Sequence, residues 1–524
     1  LYEQIEKRLI AMQQADLAGL LRGGLIGLEK ESLRVSLQGG IAQTSHPQAL
    51  GSPLTHPYLT TDYSEALAEF ITLPSTDRTQ PLEFLRDLHK FVYKHLPEEV
   101  LWATSMPCVV ERGRKIPIAR YGSSNAGQMK TVYRRGLGHR YGRVMQVIAG
   151  VHFNYSVPEA FWPVYRDWLG DTRSLQAFIA DSYFAMLRNL QRLGWLIPYL
   201  FGASPAVCKS FLGGRPTNLS SFDEYTYYYP YATSLRMGDI GYQNSKEQGT
   251  GIKACYDGLD AYVESLSRAI ETPCPIYQAI GVKVDGRYEQ LNDKILQIEN
   301  EYYSTVRPKQ IPDGIEKPVL ALKRRGVRYI ELRSVDVNAF DPLGISQDQI
   351  YFLEAFMLFC LLLESPSINP FEQREIDRNE GAAAHRGRDP ALYLQRHGDE
   401  VPLRTWAREA CEAIRPLCES LDQGQGEPRY SQSLDLQLTR IQDPEMTASA
   451  RMLSEMRDRG ESFFEFAQRK SREHYDYFTQ QPLDVEREAY FRELAETSWQ
   501  QQRAMEAADN ISFDEFLANY FAQC

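Results

Sequence analysis

Apolar and polar residues alternate with a period of two at three places, and each predicts a strand. Residues 25–36 read Leu-Ile-Gly-Leu-Glu-Lys-Glu-Ser-Leu-Arg-Val-Ser, with a turn at 37–40. Residues 144–157 alternate enough for a buried strand, and 326–337 repeat the pattern more cleanly. A helical period marks residues 1–24, ending at Gly23-Gly24, and returns over 80–96 and 158–194. Residues 61–72 carry acids at 62, 65 and 69 and mix a loop with a strand or short helix. From about 346 onward the chain reads as polar, Arg/Glu-rich helix, with loops near 378–390 and 422–428. The most apolar run, Ala355–Leu363, is far shorter than the roughly 20 residues a membrane span needs, and it predicts a buried helix. Together these elements predict an α+β core over 1–345 and a mainly helical region over 346–524.

Composition narrows the picture. A chain of 524 residues exceeds one ordinary core, and 43% hydrophobic with 24% charged residues describes a globular protein. The net charge of −11 argues against a nucleic-acid partner. The first residues form a polar amphipathic pattern without a basic stretch followed by an apolar one, so no secretory signal is expected, and a cytoplasmic setting is. The eight cysteines (108, 208, 255, 274, 360, 411, 418 and 524) are scattered and form no C-x-x-C pair. That predicts buried or free thiols in a reducing compartment. Cys411 and Cys418 share a helix face but lie too far apart for a disulfide.

Four segments carry candidate chemistry. Glu29 and Glu31 are two apart on a strand, so both carboxylates share a face. Asp62, Glu65 and Glu69 form a second acidic set. His152 and Asn154 point to one side of the strand near 150, and Glu331 and Arg333 share a side near 330. Each has a plainer explanation: a solvated strand face, a hydrogen-bonded core histidine, a surface ion pair of little energy. Jointly they are a carboxylate set with a single histidine, which suits Mg²⁺ better than zinc. An arginine beside the last carboxylate suits a transferring phosphoryl group. The chain has no G-x-x-x-x-G-K-[ST] loop, and Gly136-Leu-Gly-His-Arg-Tyr-Gly142 has the wrong spacing for a dinucleotide fingerprint. Phosphates would have to be held by metals and arginines. Most of the 31 tyrosines read as packing, and a few suit a small-substrate pocket.

The motifs in order resemble a known family. They include Gly27-Leu-Glu-Lys-Glu-Ser-Leu-Arg34, the run from Leu59 to Thr72, Ser105-Met-Pro-Cys108, Gly150-Val-His-Phe-Asn154 and the run from Ile197 to Pro205. Tyr231-Ala-Thr-Ser-Leu-Arg236, Leu296-Gln-Ile-Glu-Asn-Glu301, Val306-Arg-Pro-Lys309 and Tyr329-Ile-Glu-Leu-Arg-Ser334 complete the set. Along nearly two thirds of its length the chain is similar to the proteobacterial (type 1) glutamate–cysteine ligases. The match weakens after about 365, where only pieces such as Arg503–Asp509 fit.

The resemblance implies a fold like that of glutamine synthetase, a curved and largely antiparallel sheet flanked by helices, whose concave face holds metals, ATP and amino acids. It implies one metal on Glu31, Asp62 and Glu69, a second on Glu29, His152 and Glu331, and a third between them on the ATP phosphates. The ion would be Mg²⁺, with Mn²⁺ the alternative. Arg333 would face the γ-phosphoryl group and act with Glu29 and Glu331 in catalysis. Tyr63, Tyr133, Gln146, Tyr242 and Tyr303 fall where the family lines its cysteine pocket, with Arg236 as a carboxylate partner; Tyr63 stands where relatives can carry Phe. The implied reaction joins L-glutamate to L-cysteine through γ-glutamyl phosphate, the first step of glutathione biosynthesis. Glutathione would be a feedback inhibitor and the enzyme a monomer. Two other readings stay open: a ligase of the same fold with another amine acceptor, and a non-catalytic metal-binding protein.

Overall fold

In the computed structural model, residues 3–15, 17–108, 116–241 and 253–523 are described. Seven strands form the main sheet: β1 (Leu25–Ser36), β2 (Leu59–Thr61), β3 (Leu67–Ile71), β4 (Glu99–Leu101), β5 (Val151–Ser156), β6 (Val306–Lys309) and β7 (Tyr329–Val335). Their order is β6–β7–β5–β1–β3–β2, with β4 paired to the far end of β1. Every pairing is antiparallel. This is the expected α+β architecture, an antiparallel sheet flanked by helices.

Register decides which side chains meet. Glu29 lies opposite His152, Glu31 opposite Glu69, and Glu331 opposite both Asn154 and Arg307. Partners directly opposite share a face, so one face collects nearly all the polar candidates. The other carries Ile26, Leu28, Phe70, Val151, Phe153, Tyr155, Ile330 and Leu332, all buried in the main core. Each of these side chains contributes about 2 kcal/mol by leaving water. That burial fixes the register, because a one-residue slip would turn the acids into the core.

Helices flank the sheet. They include α1 (Glu3–Gln14), α2 (Gln80–Lys94), α3 (Asn125–Tyr141), α4 (Phe161–Trp168) and α5 (Leu175–Leu193). Further on come α6 (Gln347–Leu362), α7 (Pro370–Arg386), α8 (Leu403–Asp422), α9 (Arg429–Gln442), α10 (Phe463–Thr479), α11 (Val485–Ala508) and α12 (Phe513–Phe521). The apolar run near 355 lies in α6, buried nearly all round and packed on α5 and α9. Within it Glu354 is fully buried. It accepts from Arg78 Nε at 2.8 Å and from the Tyr430 hydroxyl at 2.7 Å, and a second Arg78 nitrogen completes a fork. On β1, Lys30 points into this layer between Glu29 and Glu31. Its ammonium lies 2.9 Å from His89 Nε2, and burial pushes its pKa down to about 7.

Several elements differ from expectation. Residues 378–390 do not begin as a loop: α7 runs to Arg386, started by Asn369 as N-cap and Pro370 in the first turn. Its Ala384 carbonyl accepts from the Thr233 and Ser234 amides, contacts that only the folded chain supplies. The periodicity over 158–194 divides into α4 and α5, with Gly170 at φ 68 in the gap. A hairpin, β8 (Tyr393–Arg396) and β9 (Asp399–Pro402), interrupts the helical region. Its two-residue turn, His397-Gly398, has positive φ at both positions, as a type I′ turn requires. Residues 144–150 are not strand: Met145–Val147 is a 3₁₀ turn. The expectation of free thiols fails at Cys108 and Cys208, which form a disulfide across 100 residues with Cα atoms 5.4 Å apart. Cys255, Cys274, Cys360, Cys411 and Cys418 are free, and Cys524 lies outside the described residues. No helix among the described residues is long and apolar enough to cross a membrane.

Replacing Glu354 by Ala strands the Arg78 guanidinium in the core. The expected loss is about 3 kcal/mol or more of unfolding free energy in urea, as for other broken buried pairs. A loss below about 1 kcal/mol would show that the fork carries little of the helix packing.

Candidate active site

The polar face of the sheet is a field of acids with a cationic edge. Glu29 Oε2 lies 3.2 Å from His152 Nδ1, and Asn154 Nδ2 donates to Glu29 Oε1 at 2.8 Å. Glu331 Oε1 is 3.8 Å from the same His152 nitrogen. One ligand atom each from Glu29, His152 and Glu331 fall within 4.8 Å of one another. Arg333 Nη1 approaches Glu331 Oε1 at 3.2 Å and Lys309 Nζ at 3.4 Å. Glu31 accepts the Gly150 amide at 2.7 Å, and its other oxygen is 4.0 Å from His152 Nε2. Asp62 stands beyond β2 with its carboxylate 3.8 Å from Arg134 on α3, whose Nε also donates to the Asp62 carbonyl. The pairing of β7 with β5 shifts by one residue between Leu332 and Val335, a bulge of the kind that re-aims a side chain, and Arg333 sits on it.

Protonation follows position. Burial, the largest single influence, opposes ionisation of Glu29, but the hydrogen bond and charge of His152 and the charge of Lys309 together outweigh it and the pKa falls below the usual range. At Glu331 burial is likewise overcome, by Lys309, Arg333 and His152, and the pKa lies well below normal. Glu31 and Glu69 shift the other way. Burial raises both, and at Glu69 the charges of Glu29, Asp62 and Glu31 add to it. Glu331 Oε2 is buried with no hydrogen-bond partner among the described residues. Hard carboxylate oxygens, one imidazole and an unsatisfied buried oxygen fit a hard divalent cation. Among the described residues only the triad of Glu29, His152 and Glu331 has converging ligand atoms; Glu31, Glu69 and Asp62 share the face, with His152 near Glu31.

Of the remaining predicted residues, those that are described stand near this face. Arg236 is buried and donates to the Arg333 carbonyl at 2.7 Å, with Asp336 Oδ1 3.5 Å away. Tyr303 places its hydroxyl 3.6 Å from the Met237 sulfur, beside a cavity of about 280 Å³. Gln146 is buried behind the Gly150 turn, and Tyr133 is half-buried on α3. Tyr63 is fully buried, with a pKa pushed up to about 12 by burial, and its hydroxyl fits against Gly138 of α3. Tyr242 lies outside the described residues. Glu65 does not join the acids: it accepts the His46 and Arg120 amides and ties two loops.

Matches to known proteins agree along the whole length. The family model for glutamate–cysteine ligase matches residues 9–382. Curated glutamate–cysteine ligases from Alcanivorax borkumensis and Pseudomonas aeruginosa are each 47% identical, covering 99% of this chain and 99% and 98% of their own. The chain belongs to the glutamate–cysteine ligase family. The crystal structure of a glutamate–cysteine ligase from Francisella tularensis in complex with AMP superposes with a TM-score of 0.89 at 35% identity, covering 95% of this chain and 97% of that one. A bifunctional glutathione synthetase from Pasteurella multocida shares the fold, with a TM-score of 0.73 at 24% identity over 90% of this chain and 55% of its own. The likeness extends well past residue 365, where motifs alone lose it.

Three further residues stand beside these candidates without having been expected from their chemistry. Arg307 and Lys309 come from a four-residue strand whose middle is Pro308, too short to show a period. Asp336, fully buried, accepts the Ala203 amide at 2.8 Å and the Ser204 and Ser234 hydroxyls at 2.5 and 3.0 Å. It gathers three family motifs around Arg236, and nothing local marks it. Gly150 is equally placed: a Cβ there would overlap the Arg236 guanidinium. Gly150→Ala is expected to fold yet lose more than about tenfold in ligase kcat/KM by displacing Arg236. Wild-type kinetics in that variant would remove Arg236 from the site.

Proposed function

We propose that this chain joins the γ-carboxylate of L-glutamate to the amine of L-cysteine with ATP as co-substrate. The products are γ-glutamylcysteine, ADP and phosphate, the first step of glutathione biosynthesis. The observation that carries this reading is the convergence of Glu29, His152 and Glu331 on one sheet face, edged by Arg333, in a chain matched end to end by ligases of this name.

The chemistry needs charge management. A carboxylate is a poor electrophile and is repelled by a triphosphate. A γ-carboxylate oxygen attacks the γ-phosphorus, ADP leaves, and the acyl phosphate carries a good leaving group. The neutral cysteine amine then attacks the acyl carbon, phosphate departs, and the amine proton passes to a base. Glu29, His152 and Glu331 would hold one Mg²⁺ or Mn²⁺ ion and Glu31, Asp62 and Glu69 another. Such ions, when bound, cancel the repulsion between carboxylate and triphosphate. Asn154 fixes the Glu29 carboxylate, and Gly150 fixes that of Glu31. Arg333 offers a planar fork to the transferred phosphoryl group, and Lys309 adds charge at the same edge. Arg236, Tyr63, Tyr133, Gln146, Tyr242 and Tyr303 would shape the amino-acid pockets. Glutathione, which carries a γ-glutamyl group, would compete for the glutamate site. The working enzyme would be a cytoplasmic monomer.

Glu29→Gln and Glu331→Gln are each expected to cut turnover by more than about a hundredfold, the loss typical of removing a main electrostatic stabiliser. The assay is ADP release dependent on glutamate, cysteine and Mg²⁺, and near-normal rates in both variants would refute the ligand assignment. Running cysteine, 2-aminobutyrate and ammonia in parallel identifies the acceptor. In the same assay Arg333→Lys should lose activity while keeping its fold, since a point charge does not replace the fork.

A further inference from the structure

Helix α3 carries Tyr133 and Arg134 to the acid face, yet it is poorly equipped to stand there. Its sequence, Asn-Ala-Gly-Gln-Met-Lys-Thr-Val-Tyr-Arg-Arg-Gly-Leu-Gly-His-Arg-Tyr, holds three glycines, the least favourable helix residues after proline. Close approach requires at least two of them. A Cβ at Gly136 would overlap the Gln297 amide, and one at Gly138 the Tyr63 hydroxyl. Half-buried Leu137 packs on the main core, but the only buried apolar side chain of α3 is Val132. It does not reach the main core. It joins Leu291, Phe516 and Leu517 in a separate small cluster, against which Met129 and Tyr133 also pack. Two of those four buried residues belong to α12.

The chain between α11 and α12 grips α3 at its start as well. Glu506 accepts the Ser123 amide at 2.8 Å, Asp509 accepts the Asn125 amide, and the Ile511 carbonyl accepts from Asn125 Nδ2 at 3.0 Å. Two carboxylates thus sit at the positive end of the helix dipole. Three contacts seat α12 in turn. Asp514 receives the Tyr288 hydroxyl at 2.6 Å and Lys283 at 3.0 Å, and Lys317 donates to the Phe521 carbonyl at 2.8 Å. The Tyr133 hydroxyl lies in the field of Glu301, Arg307, Arg134 and Asp62. Arg134 reaches Asp62 and stacks on Tyr121 with its guanidinium 4.6 Å from the ring centre.

We propose that residues 506–521 form a clasp that keeps α3 folded against the acid face, and that this grip sets the affinity of the acceptor pocket more than the rate of chemistry. The second half of the statement rests on the reading of Tyr133 as a wall of that pocket. The positioning residues are Phe516 and Leu517, which touch neither substrate nor acids.

The test uses the full chain with Phe516→Ala/Leu517→Ala, and separately Asp514→Ala, which removes only an exposed anchor. Hydrogen exchange is followed over 125–141 and over β1 and β5, beside steady-state kinetics with ATP, glutamate and cysteine. The double variant should lose protection in α3 while β1 and β5 keep theirs. Its KM for cysteine should rise about tenfold, with kcat and the KM for ATP within about twofold, as expected when a positioning element loosens. Phe516→Leu should restore most of the loss, and Asp514→Ala should move the same readouts less far. Unchanged protection of α3 in both variants overturns the clasp. Lost protection with equal rises in all three KM values, or with kcat falling instead, overturns its link to the acceptor pocket. Should the double variant not fold, Asp514→Ala decides by the same criteria. A wild-type enzyme inactive with cysteine would defeat the proposed reaction and leave the exchange result standing.

Discussion

Like charge gathered on one face of a strand is the constraint around which this protein is built. Glu29 and Glu31 stand side by side on β1, and register brings Glu69, His152 and Glu331 to them. Such a cluster repels itself, and burial makes the repulsion worse. What holds it is the opposite face, where Leu28, Phe70, Phe153 and Leu332 pack into the main core and permit no other register. The residual strain shows in the raised pKa values of Glu31 and Glu69 and in the unpartnered oxygen of Glu331. Folding energy from one side of the sheet is spent keeping a cation-hungry surface on the other.

Missing atoms matter here as much as present ones. Gly150 leaves room for Arg236 while its amide steadies Glu31. Gly136 and Gly138 let α3 lie close on Gln297 and Tyr63. Each cut-out sacrifices local stability for an approach that a methyl group would block. The weakness is made good at a distance, by Asp336 joining three loops around Arg236 and by the α11–α12 segment at the start and middle of α3. The C-terminal helices are therefore continuous with the site's support: α10 packs against α2 and β4, and α12 against α3.

Much of this was legible along the chain. The alternation over 25–36 gave β1 with both ends correct, and the acids of the site follow from its period of two. The helix near 80–96 stands where periodicity puts it, and the buried helix near 355 where the apolar run does. Each of these signals is local, carried by neighbours within a few residues. Arg307 and Lys309 were not found by chemistry because their strand is too short to show a period. The hairpin at His397-Gly398 lies inside a helical region and depends on two positive φ angles. Glu65 looked like its neighbours in the acidic set but turns away to tie loops.

By itself the sequence determined the central strand, the one-sided placement of its two carboxylates, the core helices and, through its ordered motifs, the family. Tertiary structure alone decided which acids meet, because β-sheet register joins residues hundreds of positions apart and no local pattern records that pairing. It alone brought Cys108 to Cys208, put Asp336 beneath Arg236 and gave α3 its second support. Periodicity reports which way a side chain points from its own element; only the packing of elements settles what it points at.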